Sequence, residues 1–359
     1  MVNYLPALYA LNQTGDAYSI LQQVVPELKP LYSFLIAYRS ACLGNLAHAT
    51  YFLQSVRDSP FINPYSLYVH KMSDPKCLTN LNKLIETTFY QNDPWKHALL
   101  SIITMASELN SITDYVVDFG NEYAISEINE AIRLAPHIKV FDFYKAFAIR
   151  DLDKEHKKLI EEYYKTVEHQ LTTYYQPFFD LADYYILLVN NSYGEEKAKI
   201  TNFITYDIIP FLEDIVKKLS EHVLLMQYTA FDLYFASREF TEFVRKIEKD
   251  KKFNIEQKEK IVKSAEKTLN FAEQEFKRYG FNNLAQAVEI QKAFIANENL
   301  DRFVNAVLLV PPSTDFSFRD KVYYLIVGKA DRRYKEELCK RYSIIDERVS
   351  EECKKRSLI

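Results

Sequence analysis

The sequence predicts an all-α protein made of stacked antiparallel helical hairpins and ending in a charged helical extension. Three observations carry that expectation. Glycine occurs only 6 times and proline 12 times in 359 residues. Glycine supplies positive φ and close backbone approach to phosphates, so doubly wound nucleotide folds, P-loop proteins and sheet-rich sandwiches normally use more of it. The composition, 48% hydrophobic and 26% charged, is that of a globular chain rather than a disordered one. Finally, Asn63-Pro64, Asp74-Pro75 and Asp93-Pro94 each set a capping side chain before a proline suited to a first helical turn.

Taken in order, Pro30–Leu43 and Asn45–Arg57 form a helix pair broken at Gly44. Helix starts then fall near 64, 75, 94, 112 and 122, the pitch of stacked hairpins. Beyond Pro136 the helices lengthen. Asp153–Tyr175 carries a broad apolar stripe, and Pro177 opens FFDLADYYILLVNN, apolar nearly all round. Pro210 starts another helix, followed by Glu221–Ala236 and Ser237–Lys249. Asn254 caps a helix that stops at Gly280, and Leu284–Ala296 with Leu300–Leu309 make a further pair closed by Pro311-Pro312. The run Val322–Val327 is rich in β-branched and aromatic residues; it reads as helix, with a strand as the alternative. The close, Asp331–Ile359, is a charged helical segment with Glu337–Arg341 and Glu352–Arg356 among its i,i+4 pairs. The organisation expected is a hairpin array over 1–152, longer helices over 153–317 and a charged extension over 318–359.

The best-formed hairpin is Leu109–Pro136, with a turn at Gly120. Its second half spaces Ala124, Ile128 and Ala131 at i, i+4 and i+7, a small-residue face suited to close stacking. Tyr115, Ala124, Ala131 and Pro136, with Ile128 in an aromatic slot, resemble the second part of the tetratricopeptide repeat. Glu108, Ser111 and Ile112 depart from its first part, where Trp, Leu and Gly are expected. Weaker echoes run through Ala37, Gly44, Ala49, Leu53 and Val56, and through Ala287, Phe303, Ala306 and Pro311. The resemblance implies a curved superhelix whose concave face binds a peptide or protein, with catalysis uncommon in such arrays.

Net charge is −4, which gives no general attraction to nucleic acid or to an anionic membrane. Cys42, Cys77, Cys339 and Cys353 show no CxxC spacing, and read as reduced thiols of an intracellular, most simply cytoplasmic, protein rather than a disulfide frame or zinc site. The N-terminus lacks the features of a signal peptide, and no apolar window is long enough to cross a bilayer.

Several residues invite a functional reading. The tyrosine doublets Tyr163-Tyr164 and Tyr174-Tyr175, with Tyr115, are the candidate partner-binding residues; Tyr184-Tyr185 and Tyr323-Tyr324 share the pattern. The alternative is that such rings pack between helices. Asp180 and Asp183 lie at i and i+3 inside an apolar run, and Asp232 interrupts another; paired carboxylates could hold a metal in a helical enzyme, or meet an Arg or Lys from the next helix, or simply mark a solvent edge. The seven histidines form no HExxH or Exx-His pattern, and His156 and His169 read as exposed or capping. No P-loop, GxGxxG or GxSxG motif occurs, so no catalytic residue, cofactor or metal ligand is assigned. Basic residues gather in 245–267 and 319–356, each +4, with acidic residues interleaved. The function expected is a non-catalytic scaffold or adaptor for another protein or peptide; the alternatives are nucleic-acid association through the two basic patches, or a metal-dependent enzyme around Asp180 and Asp183.

Overall fold

The computed structural model describes residues 26–69, 72, 74–110, 122–148, 152, 154–223, 229–295, 322–323, 326–328, 332–344 and 346–358. Among these residues the secondary structure is helical, with no strand, and no helix is long and apolar enough to cross a membrane. By internal contacts the chain divides into two compact units, Met1–Leu212 and Glu213–Ile359.

In the first unit the helices are α1 (Lys29–Cys42), α2 (Leu46–Leu53), α3 (Pro64–Val69), α4 (Pro75–Thr88), α5 (Pro94–Asn110), α6 (Glu122–Leu134), α7 (Val140–Ala148) and α8 (Lys154–Val167). They continue with a short α9 (Leu171–Tyr174), α10 (Gln176–Asn191) and α11 (Gly194–Phe203), which runs through a π-helical turn, Ile204–Ile208, into α12 (Ile209–Val223), a helix that crosses the division at Leu212. The helices start where the side chains satisfy first-turn amides. The Asp74 carboxylate accepts from the Lys76 and Cys77 amides at 2.9 and 3.1 Å, and Asp93 accepts from the Trp95 amide at 2.9 Å. Asn63 and Ser66 bond reciprocally, side chain to backbone, at 2.8 and 3.2 Å. Between α1 and α2 the chain turns on Gly44 at φ +76°, a left-handed conformation that costs a side-chain-bearing residue, and the Asn45 amide reaches back to the Ser40 carbonyl at 2.9 Å.

From α1 to α8 the packing is between near neighbours: α1 with α2 and α4, α4 with α5, α5 with α6 and α7, α6 with α7, and α7 with α8. The face foreseen on α6 is the buried one, Ala124, Ile128 and Ala131. Ala37, Ala49, Leu53 and Val56 are likewise fully buried in the α1–α2 pair. Tyr115, Gly120 and the rest of the hairpin turn lie outside the described residues. The ladder is not purely one-dimensional, because α10 folds back onto α3. Asn63 Nδ2 donates to Asp180 at 3.0 Å and Tyr65 Oη donates to Asp183 at 3.0 Å across that seam.

In the second unit α13 (Thr229–Lys249), α14 (Ile255–Arg278) and α15 (Asn282–Ile295) pack mutually. Asn254 and Gln257 form a complete capping box at the start of α14, and Gly280, at φ +77°, ends it with the Phe281 amide on the Phe276 carbonyl at 2.8 Å. The break expected at Ser237 does not exist. Its buried hydroxyl bonds the Leu233 carbonyl at 2.7 Å, four residues back, which lets a serine sit inside a continuous helix. Helices α16 (Arg332–Tyr342) and α17 (Glu347–Lys355) close the chain. Val322 and Ile326, both helical, bury one face at i,i+4 rather than alternating as a strand would.

One expectation is overturned outright. All four cysteines are paired, Cys42 with Cys77 and Cys339 with Cys353. Neither pair has a recognisable spacing, because each is made by two helices meeting: α1 against α4, and α16 against α17.

Candidate interaction surface

An exposed face of the first unit that joins aromatic and acidic side chains crosses α4, α5 and α6. Leaving α4, the backbone extends at Phe89, whose ring is buried, and this throws Tyr90 outward to 87% exposure. Glu86, in the last turn of α4, is exposed. In the first turn of α6, Tyr123 is 45% exposed. Partial burial, then the nearby carboxylates of Glu127 and Glu86, push its phenol up, so the ring sits in the field of acidic side chains from two helices. Glu127 also lies 2.7 Å from His97 Nδ1 on α5, and His97 Nε2 lies 3.0 Å from the Gln91 carbonyl. Both His97 partners are acceptors, so whichever ring nitrogen carries a proton finds one. Glu130 continues the stripe and pairs with Arg133 at 2.5 Å.

Sequence reading passed over these residues, although a signal was there. Tyr123, Glu127 and Glu130 repeat at i, i+4 and i+7, one residue ahead of the buried set Ala124, Ile128 and Ala131. The stacking face therefore fixes where this polar stripe points. Chemically the surface offers carboxylates beside aromatic faces, which suits a cationic side chain through charge-assisted hydrogen bonds and cation–π contact. The unit's own sequence is acidic, with 24 acidic and 17 basic residues up to Leu212.

The tyrosine candidates sit elsewhere. Tyr163 and Tyr164 are 4% and 7% exposed, within an aromatic cluster. Tyr163 lies 4.9 Å from Phe143, and Tyr164 lies 5.7 Å from Phe178 and 5.2 Å from Phe211, centroid to centroid. Tyr175, also buried, packs edge-on to Phe179 at 6.2 Å. Only Tyr174 is half-buried, against Phe61 at 5.9 Å. Tyr115 lies outside the described residues. In Tyr184-Tyr185 both rings are buried: Tyr184 Oη donates to the Phe147 carbonyl at 2.8 Å, and Tyr185 Oη lies 2.5 Å from His156 Nε2. His156 is thus a core residue at 1% exposure, wedged against Phe203, and not the exposed or capping histidine expected. An amphipathic stripe counts a histidine as polar, whereas here a phenol supplies the partner that lets it be buried.

Asp180 and Asp183 do share a helix face, and neutral donors meet them: Asn63, Gln176 at 3.4 Å, and Tyr65. Asp232, on α13 of the second unit, is half-buried, and burial raises its carboxyl to about 6. Among the described residues no group of three or more His, Cys, Asp or Glu side chains is placed to hold a metal ion. Among the described residues of the basic stretches, several cations meet local acceptors. Arg245 pairs with Glu242 at 3.1 Å, and Lys258 Nζ donates to the Glu248 carbonyl at 2.8 Å. Arg332, Arg341 and Arg356 pair with Glu336, Glu337 and Glu352. No protein-family model matches the chain, and no curated protein sequence matches it significantly.

Proposed function

We propose that the chain is a non-catalytic helical scaffold that binds another protein or a peptide, and that the α4–α6 face takes a basic segment of it. The observation that carries this reading is Tyr123, exposed and near the carboxylates of Glu127 and Glu86, with Tyr90 exposed just past the α4 end that carries Glu86. Near-neighbour packing from α1 to α8 and the small-residue stripe of α6 support a tetratricopeptide-like hairpin array as the frame. Aromatic rings supply contact area at low conformational cost, and the carboxylates set the charge preference and the association rate.

Fluorescence anisotropy with labelled peptides tests it. A Lys/Arg-rich peptide binds and is weakened by added salt, while a Glu-rich peptide of equal length does not bind. Tyr123→Ala costs on the order of 2 kcal/mol, about thirtyfold in Kd, and Glu127→Gln lessens the salt dependence. Equal binding of both peptides, or none of the basic one at low salt, refutes the assignment of this face.

A further inference from the structure

The two cysteine pairs have different surroundings. Cys42, at the end of α1, is partly exposed and Cys77 is 6% exposed; their bond joins helices that also pack through other side chains. Cys339 and Cys353 are fully buried in a cluster with Ile290, Val322, Ile326, Leu338, Tyr342 and Val349. The helices that carry them are short, 11 and 9 residues, and their exposed positions are mostly charged. On α16 the buried residues are Leu338, Cys339 and Tyr342; on α17 they are Val349, Glu352 and Cys353. Helices of this length do not persist in water unaided, and here cysteine is one of three buried residues on each.

We propose that the native chain is an oxidised protein, and that the Cys339–Cys353 bond decides whether the α16–α17 hairpin stays formed, so that the hairpin responds to the surrounding thiol–disulfide balance. The oxidant is a disulfide such as glutathione disulfide. One cysteine thiolate attacks it, forms a mixed disulfide and releases one glutathione thiolate. The second cysteine thiolate then attacks the protein sulfur of the mixed disulfide and releases the other. Two thiols are oxidised to one bond, and two electrons and two protons end on two glutathione thiols. This inference does not depend on the proposed function. It replaces the expectation of reduced thiols with an oxidising setting, whether extracytoplasmic or the disulfide-rich interior of a thermophile. Burial also orders the reverse reaction. A small thiol reaches Cys42 directly, but reaches Cys339 and Cys353 only when the hairpin opens.

The test uses the full chain. Thiols are blocked with N-ethylmaleimide, and non-reduced peptides are mapped by mass spectrometry. Hydrogen exchange of α16 and α17 is then followed with and without a phosphine reductant. The expected result is linkage of residues 42 to 77 and 339 to 353, earlier loss of the first bond under graded dithiothreitol, and roughly hundredfold faster exchange of the hairpin once the second is reduced. The Cys339→Ser/Cys353→Ser variant reproduces that acceleration without reductant, and the Cys42→Ser/Cys77→Ser variant does not. If the serine variants fail to fold, the wild-type chain reduced at the first bond alone by graded dithiothreitol, set against the fully reduced chain, supplies the same comparison. Four alkylated cysteines in chain refolded with glutathione disulfide, a different pairing, or equal hairpin protection in oxidised and reduced protein overturns the proposal.

Discussion

Tyrosine occurs 27 times, and several of the buried rings also tie separate segments together through their hydroxyls. Tyr144 is fully buried and donates to the Ser59 carbonyl at 2.6 Å, Tyr184 donates to the Phe147 carbonyl, and Tyr38 Oη accepts from the Asp74 amide at 3.1 Å. Burial raises the Tyr144 phenol well above its ordinary value, so it stays protonated and keeps donating. A phenylalanine in its place keeps the apolar area but removes one of the two hydrogen bonds to the buried Ser59 carbonyl, which keeps that from the Ile62 amide at 3.1 Å. Tyr144→Phe is therefore expected to cost about 0.5–1.5 kcal/mol, read as a lower urea midpoint at unchanged slope, whereas Tyr90→Phe at the exposed position changes it little.

At the scale of an element, α6 lies against both α5 and α7, with Ala124, Ile128 and Ala131 inward and Ser101 Oγ donating to the Ala124 carbonyl at 2.8 Å. Alanine is there to let helix backbones approach. Ala131→Leu adds three carbons to a site with no exposure, and should destabilise by about 1–3 kcal/mol, where Asn129→Ala on the outer face does not; thermal melts separate the two. The end of α14 makes the complementary case. No described atom lies within 4 Å of a Cβ built on Gly280, so Gly280→Ala meets only the backbone penalty of φ +77°, about 1–2 kcal/mol. Crowding governs the first substitution and chirality the second.

At the scale of the whole molecule, two kinds of carboxylate tilt stability with pH in opposite directions. Glu248, half-buried, is pushed up to about 7 by desolvation, and Asp232 to about 6. Unfolded carboxyls titrate near ~4, so across the interval from there to about 7 the native chain holds more protons than the unfolded chain. Stability from these two groups therefore falls as pH rises through that window. Asp346 has the opposite sign: hydrogen bonding to Arg348 pulls its carboxyl down, so its contribution is present above ~4 and lost as pH falls below. Denaturation midpoints should accordingly peak in mildly acid solution, and Glu248→Gln should flatten the decline toward neutrality. A decline unchanged by that substitution assigns it to other groups.

Much of the architecture was legible because its signals are local. A capping side chain before proline marks α3, α4 and α5, Asn254 and Gly280 bracket α14, and the spacing of Ala124, Ile128 and Ala131 names the face that α6 buries. Each depends on residues within a few positions of one another, where helical geometry is the same in any protein. The candidate surface was legible only in half, since the stripe Tyr123, Glu127 and Glu130 follows from that face while its meeting with Glu86 and His97 does not. The same limit hid the burial of His156 beside Tyr185, the pinning of Asp180 and Asp183 by Asn63 and Tyr65, and both cysteine pairings. A linear pattern reports which side of a helix is apolar; which helix then covers it, and what polar group that helix brings, is decided only when distant segments pack and every buried polar atom must find its partner.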